Sequence, residues 1–255
     1  MIIKKEEHTG HWYTRDGLPK YTIEGKNGQQ RNTTLRDARK HDLVPSVTTL
    51  LNIIAKPALN TWLQQQVLMA ALTLPKQEGE SDGDYIDRIL ADSKAQGREA
   101  ADIGTAIHSA IQGHYEGRPA LEHEQHIKGC TEAISASFGN QTWICERSFA
   151  HEAGYGGRCD LYAVGTQENP NGFVLDIKTK DFSDVNDVEG YDEHLMQLAA
   201  YRVGLGVPSA RCANVFVSRS HPGLAVVKEW SAEELDVAWV RFLLLVNYWK
   251  LKNGI

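Results

Sequence analysis

The hydrophobic period of this chain changes from helical to two near residue 142, and that change restricts the fold it can form. From about Asp84 to Tyr115 the apolar residues Ile103, Ile107, Ile111 and Tyr115 recur every four positions, the repeat of one helix face. Gly97 is a candidate break in that helix, and a polar helix is expected at about 122–138. After it the period becomes two, and residues 142–151, 157–164 and 172–179 read as strands. A helix at 190–205, strands at 211–218 and 224–229, and an amphipathic helix at 231–251 complete the order α, α, β, β, β, α, β, β, α. Such an order predicts an α/β domain over 85–255, with one central mixed β-sheet flanked by helices.

Residues 1–84 read as an extension with a basic arm and helices. The first 45 or so residues, rich in Gly, Asn, Gln and Thr, suit irregular or hairpin structure. Ser46 is a good N-cap for a helix carrying Val47, Leu50, Leu51 and Ile54, and Pro57 should end it or start a second helix over 58–72. Residues 1–41 hold nine Lys/Arg and five Asp/Glu, whereas the whole chain has a net charge of −6. The arm is therefore basic beside an acidic body, and it either contacts phosphates or is simply a solvated surface.

The start, MIIKKEEHTG, lacks the apolar core of a signal peptide, and no apolar run approaches the ~18 residues of a membrane span. A cytoplasmic protein without a membrane partner is expected. Cys130, Cys145, Cys159 and Cys212 contain no Cys-x-x-Cys pair, which argues against a zinc ribbon and favours free thiols.

The densest chemistry lies in Gly157-Arg-Cys-Asp160 and Val174-Leu-Asp176-Ile-Lys178-Thr179. Strand alternation puts Asp176 and Lys178 on one face and Leu175 and Ile177 on the other. If the two strands form a hairpin with Val164 opposite Gly172, Asp160 falls opposite Asp176. Two carboxylates that close repel unless a cation lies between them. A hard, oxygen-preferring ion, Mg²⁺ or Mn²⁺, suits the pair, and the Ile177 carbonyl could add a ligand. The other reading of Asp-x-Lys alone is a structural ion pair near a strand end.

With three further matches the pattern resembles the PD-(D/E)XK nuclease superfamily, and within it the prophage-type, RecB-like exonuclease branch. Gly104-Thr-Ala-Ile-His108 resembles that branch's helical Gly-x-x-x-His motif. The Asp160 and Asp176-Ile-Lys178 segments resemble its two core strands, and Gln197-Leu-Ala-Ala-Tyr201 resembles its Gln-x-x-x-Tyr helix motif. Together they run in the expected order from residue 104 to 201. The resemblance implies a restriction-endonuclease-like core and hydrolysis of DNA phosphodiesters. His108, Asp160, Asp176 and the Ile177 carbonyl would hold one or two Mg²⁺ or Mn²⁺ ions. Asp160, Asp176 and Lys178 would be catalytic, and Gln197, Tyr201 and Thr179 would position the strand. Glu146 ranks behind these, either aiding the metal or pairing with a basic residue.

The expected substrate is DNA, as linear duplex or single strand. No helicase motif such as Gly-x-x-x-x-Gly-Lys is present, so unwinding would need a partner. A recombinase, a single-strand-binding protein or a helicase is a candidate partner, and a homo-oligomer is compatible. Some relatives hold an iron–sulfur cluster on grouped cysteines; this chain lacks that spacing, so no cluster is expected. The six acidic residues within 181–193 should point away from DNA. Two rival readings are a DNA-binding or assembly protein of this fold without cleavage, and a hydrolase of small molecules, which should show a small deep pocket. His123 and His126 are expected on a solvated polar helix face.

Overall fold

The computed structural model describes residues 10–119 and 122–254. Its N-terminal part holds β1 (Trp12–Tyr13), β2 (Thr22–Glu24), β3 (Gln30–Asn32), α1 (Leu35–Lys40), β4 (Val44–Pro45), α2 (Val47–Leu51) and α3 (Pro57–Thr73). Then follow α4 (Asp82–Tyr115), α5 (Glu124–Phe138), β5 (Ile144–His151), β6 (Tyr155–Ala163) and β7 (Phe173–Lys180). The chain closes with α6 (Asp192–Gly204), β8 (Arg211–Ser218), β9 (Ala225–Trp230) and α7 (Ala232–Asn253). No described helix is long and apolar enough to cross a membrane.

The main sheet has the order β5-β6-β7-β8-β9. Only the β7–β8 pair is parallel, and α6 makes that crossover. The fold class is the expected one, a mixed sheet flanked by helices. One face of the sheet packs Tyr155, Cys159, Val174 and Cys212 with residues of α2, α6 and α7. The other packs Leu161, Phe173, Leu175, Ile177 and Val215 against Ile107 and Ile111 of α4 and Ile127 and Ile134 of α5. The N-terminal part joins the first layer: Trp12 and Leu50 are almost fully buried there, and Ser46 bridges Gly156 of β6.

Three expectations are corrected. The long helix α4 runs unbroken through Gly97, which faces Trp62 of α3 and so packs rather than bends. Its apolar stripe does not reach the sheet at every position: Ile107 and Ile111 are fully buried, but Ile103 is 41% exposed. Gly104 lies beside Thr179 near the end of β7, so the helix before it runs past the sheet edge and packs on α3. The helix expected to be polar, α5, buries His126, Ile127, Cys130, Ile134 and Phe138. Their spacing of three and four is a core face, and the charged and hydroxyl residues on the other side hide it in the composition. His126 therefore belongs to that buried face.

Candidate active site

The hairpin of β6 and β7 sets Leu161 opposite Leu175 and Ala163 opposite Phe173. Continued one step, this register places Asp160 opposite Asp176, as the hairpin reading expects. The ladder stops there because the Asp160 carboxylate intervenes: its Oδ2 accepts the Ile177 N–H at 2.6 Å. The Ile177 side chain points away into the core.

Alternation along β6 breaks at the same place. Tyr155 and Cys159 pack on one face of the sheet, yet Leu161 and Ala163, also odd-numbered, pack on the other. On β5 the ladder pairs Cys145 with Leu161 and Arg147 with Cys159, which leaves Glu146 across from Asp160 without a ladder pair. Glu146 has φ +54°, a left-handed conformation that a non-glycine residue seldom adopts inside a strand. The local twist turns Glu146 and Asp160 together out of the regular pleat. Strand periodicity cannot foresee this placement of Glu146 beside Asp160.

Helix α4 brings His108 to this point. Its Nε2 lies 3.1 Å from Asp160 Oδ2. Gly104, one turn earlier, permits the approach, since a Cβ there would sit 2.5 Å from Thr179 Oγ1. Ligand-type atoms of His108, Glu146 and Asp160 all lie within 4.8 Å of one another. Arg158 Nε lies against Glu146 Oε2 outside hydrogen-bonding geometry, and that buried oxygen has no hydrogen-bond partner.

Asp176 is held differently. It is 2% exposed and forms an ion pair with Lys178 Nζ at 2.8 Å. Asn214, its paired neighbour on β8, donates Nδ2–H to Asp176 Oδ2 at 2.9 Å and accepts from Trp230 Nε1 at 2.8 Å. Asn214 escaped the sequence reading, although an amide in the apolar run Arg211–Ser218 was a usable signal.

Lys178, itself partly buried, continues a hydrogen-bonded chain into α6. Its Nζ donates to Gln197 Oε1 at 3.0 Å, and Gln197 Nε2 donates to Tyr201 Oη at 2.8 Å. Gln197 and Tyr201 are almost wholly buried, one helical turn apart. Gly157 faces this pair, and a Cβ there would lie 2.9 Å from the Tyr201 ring. The acidic loop after β7 is partly neutralised, with Asp181 paired to Arg219 at 2.6 Å.

The electrostatics follow from crowding. Burial pushes the Asp176 carboxyl up to about 6, with the Asp160 charge adding and Lys178 opposing. Burial also raises Glu146. For Asp160 burial acts upward, but the His108 hydrogen bond and charge, Lys178 and the Ile177 N–H outweigh it and hold the carboxyl below its ordinary value. The hydrogen bond to Asp160 raises His108, against burial. Burial would lower Lys178, yet the Asp176 and Asp160 charges keep it raised, so the ammonium is protonated at neutral pH.

A cavity of about 160 Å³ opens onto Glu146 and Asp160. Its far wall comes from the N-terminal part: His11, Tyr13, Tyr21, Ser46 and Thr48. The His11 and Tyr21 rings stack at 4.5 Å. No periodic signal ties these residues to the site, because they reach it through chain-distant pairing.

No family model matches this chain. No curated protein matches it either. Among solved structures, a candidate exonuclease from Eubacterium rectale is similar over 60% of this chain and 68% of its own, at 13% identity and a TM-score of 0.39. An alkaline exonuclease from Laribacter hongkongensis is similar over 82% of this chain and 92% of its own, at 11% identity and a TM-score of 0.37. Both overlaps are loose.

Proposed function

We propose that this protein is a divalent-metal-dependent deoxyribonuclease that hydrolyses DNA phosphodiesters, acting as an exonuclease in DNA recombination, repair or phage DNA processing. The observation that carries this reading is the convergence of His108, Glu146 and Asp160 within 4.8 Å, beside the buried Asp176–Lys178 pair.

The residues fit a hard divalent ion. One imidazole nitrogen and carboxylate oxygens are its preferred donors, and Glu146 Oε2 is buried without a hydrogen bond. His108, Glu146 and Asp160 would hold the ion, with Asp176 and the Ile177 carbonyl as the further ligands that the sequence motif implies. A bound ion would polarise the scissile phosphoryl group and lower the pKa of a water molecule.

The chain's own groups do the remaining work. Lys178 places a protonated ammonium where negative charge builds on the phosphoryl oxygens. Asp176 and Gln197 fix its Nζ by hydrogen bonds. Tyr201 fixes Gln197 in turn. Gln197 and Tyr201 thus support Lys178 as positioning residues. The Ile177 N–H locks the Asp160 carboxylate, and without the ion His108 Nε2 meets the same oxygen. The His11–Tyr21 stack and Arg158 offer a π face and a cation to a strand end and its phosphate.

The small-molecule hydrolase is disfavoured by shape. It needs a deep, enclosing pocket, and the cavity over Glu146 and Asp160 stands partly open to solvent. A polymer laid across an open site needs no such enclosure.

The test is digestion of linear and covalently closed circular DNA with Mg²⁺ or Mn²⁺. Degradation of linear DNA with circles spared is expected. Efficient nicking of circles would make the enzyme an endonuclease. No cleavage of any DNA or RNA with either ion would favour a binding protein of the same fold.

A further inference from the structure

The C-terminal helix α7 carries two apolar stripes. Leu235, Ala238, Phe242, Val246 and Trp249 are buried in the core shared with α2 and α6. Val237, Val240, Leu244, Tyr248 and Leu251 form a second stripe and are between 53% and 85% exposed. At 3.6 residues per turn the two stripes lie on opposite sides of the helix. The second runs for about 21 Å at 1.5 Å per residue. A contiguous apolar surface of this kind on a folded domain marks an interaction site.

The stripe has an internal symmetry that specifies its partner. Val237 and Leu251 lie equally far before and after Leu244, and so do Val240 and Tyr248. An identical helix running antiparallel would therefore set Val237 on Leu251, Val240 on Tyr248 and Leu244 on itself. The charges have the matching polarity. The first turn holds Glu233 and Glu234, and the last holds Lys250 and Lys252. Antiparallel pairing brings the acidic end of each copy beside the basic end of the other, whereas parallel pairing sets like on like. A charge-free apolar strip offers nothing to phosphates, and the acidic first turn is unsuited to an anionic membrane.

We propose that two copies of this chain pair through α7, antiparallel, about a twofold axis at Leu244. The interface is isologous, because the same patch serves on both copies. Five side chains of this size offer roughly half of the ~800 Å² per partner found in stable interfaces, so the pair is a weak, reversible one, sought at micromolar concentrations. The proposal is independent of the catalytic reading.

The test uses the full chain. Sedimentation velocity should show a dimer growing in between about 1 and 100 µM, the span over which a micromolar complex forms. Leu244→Glu places two carboxylates face to face, and it should weaken the dimer at least ~10-fold, with a melting temperature unchanged at concentrations where both proteins are monomeric. Leu244→Cys should form an intermolecular disulfide under mild oxidation. The wild type should not, since Cys130, Cys159 and Cys212 are buried and Cys145 is half-buried. Val237→Cys alone should not link, but a mixture with Leu251→Cys should. A wild type that stays monomeric throughout would overturn the proposal. So would linking of Val237→Cys to itself, which means a parallel pair, or dimerisation that appears only once residues 1–9 are removed, which means that the chain covers its own stripe.

Discussion

Asp176 and Asn214 occupy paired positions on the parallel strands β7 and β8, and the amide of one donates to the carboxylate of the other at 2.9 Å. That contact explains how a fully buried carboxylate is tolerated in the middle of an apolar sheet. Asn214 is itself anchored by the Trp230 indole, so the pair is held from the far edge of the sheet. Asn214→Leu keeps the volume and removes both bonds. It should cost about 1–3 kcal/mol, the penalty for leaving buried polar partners unsatisfied. Urea unfolding measures it; a variant as stable as the wild type would show that Lys178 alone satisfies Asp176.

Lys178 separates an enzyme from a binding module. Its Nζ is held by Asp176 and Gln197 and lies among carboxylates. Lys178→Met keeps most of the stem and deletes the charge. A folded protein that still binds Mn²⁺ and DNA is expected, with single-turnover cleavage at least ~100-fold slower. Near-wild-type cleavage by a well-folded variant would defeat the assigned role. Gln197→Leu should slow the same step by less, because the Asp176 contact remains.

Much of this arrangement of side chains is legible in the sequence. The two-residue period set Asp176 and Lys178 on one face, and the turn formers between the strands gave the hairpin register that opposes Asp160 to Asp176. The four-residue spacing put His108 beside a core stripe and Gly104 where a side chain would collide. What stayed hidden depends on departures from periodicity or on distant pairing. Glu146 enters the site through a left-handed residue that breaks the pleat. His11, Tyr13 and Tyr21 arrive because the N-terminal strands fold back onto β6. The second stripe of α7 was equally obscure: reading 231–251 as an amphipathic helix accounts for one apolar face, and the helix has two.

His194 makes stability depend on pH. Burial, with Lys178, Lys180 and Lys56 nearby, lowers its pKa from 6.5 to about 3. Its Nδ1 accepts the Tyr191 N–H at 3.3 Å, which requires a neutral ring. Between those two values the unfolded chain binds the proton and the folded one does not. This contribution to stability is therefore full above pH 6.5 and is lost as the pH falls toward 3. His194→Gln removes the titration, so its melting temperature should fall less steeply from pH 7 to pH 4 than that of the wild type. Parallel acid limbs for the two proteins would mean that His194 is protonated in the fold.

Glu146 should trade stability for metal. Its φ of +54° is strained for a residue with a Cβ, and its Oε2 is buried without a hydrogen bond. Both features are expected of a ligand held ready for a cation, and in the metal-free fold only the Arg158 ion pair offsets them. Glu146→Gly accepts that φ without strain and removes a buried charge near Asp160. Without metal it should therefore be more stable than the wild type, by about 1 kcal/mol, the lower end of the strain range. With Mn²⁺ the order should reverse. The wild type gains melting temperature by mass action, and the variant gains little. Its Mn²⁺ affinity should drop by at least the ~10-fold that loss of even an outer-sphere partner produces. Asp160→Asn should lose the Mn²⁺ response altogether, because Asp160 meets both His108 and the Ile177 N–H. Asp176→Asn should weaken the response as well, if the ion draws that carboxylate from Lys178. Thermal melts of the four proteins with and without Mn²⁺ decide the matter. A Glu146→Gly variant that is less stable without the ion, or that keeps the full Mn²⁺ shift, would show that Glu146 serves only as the partner of Arg158.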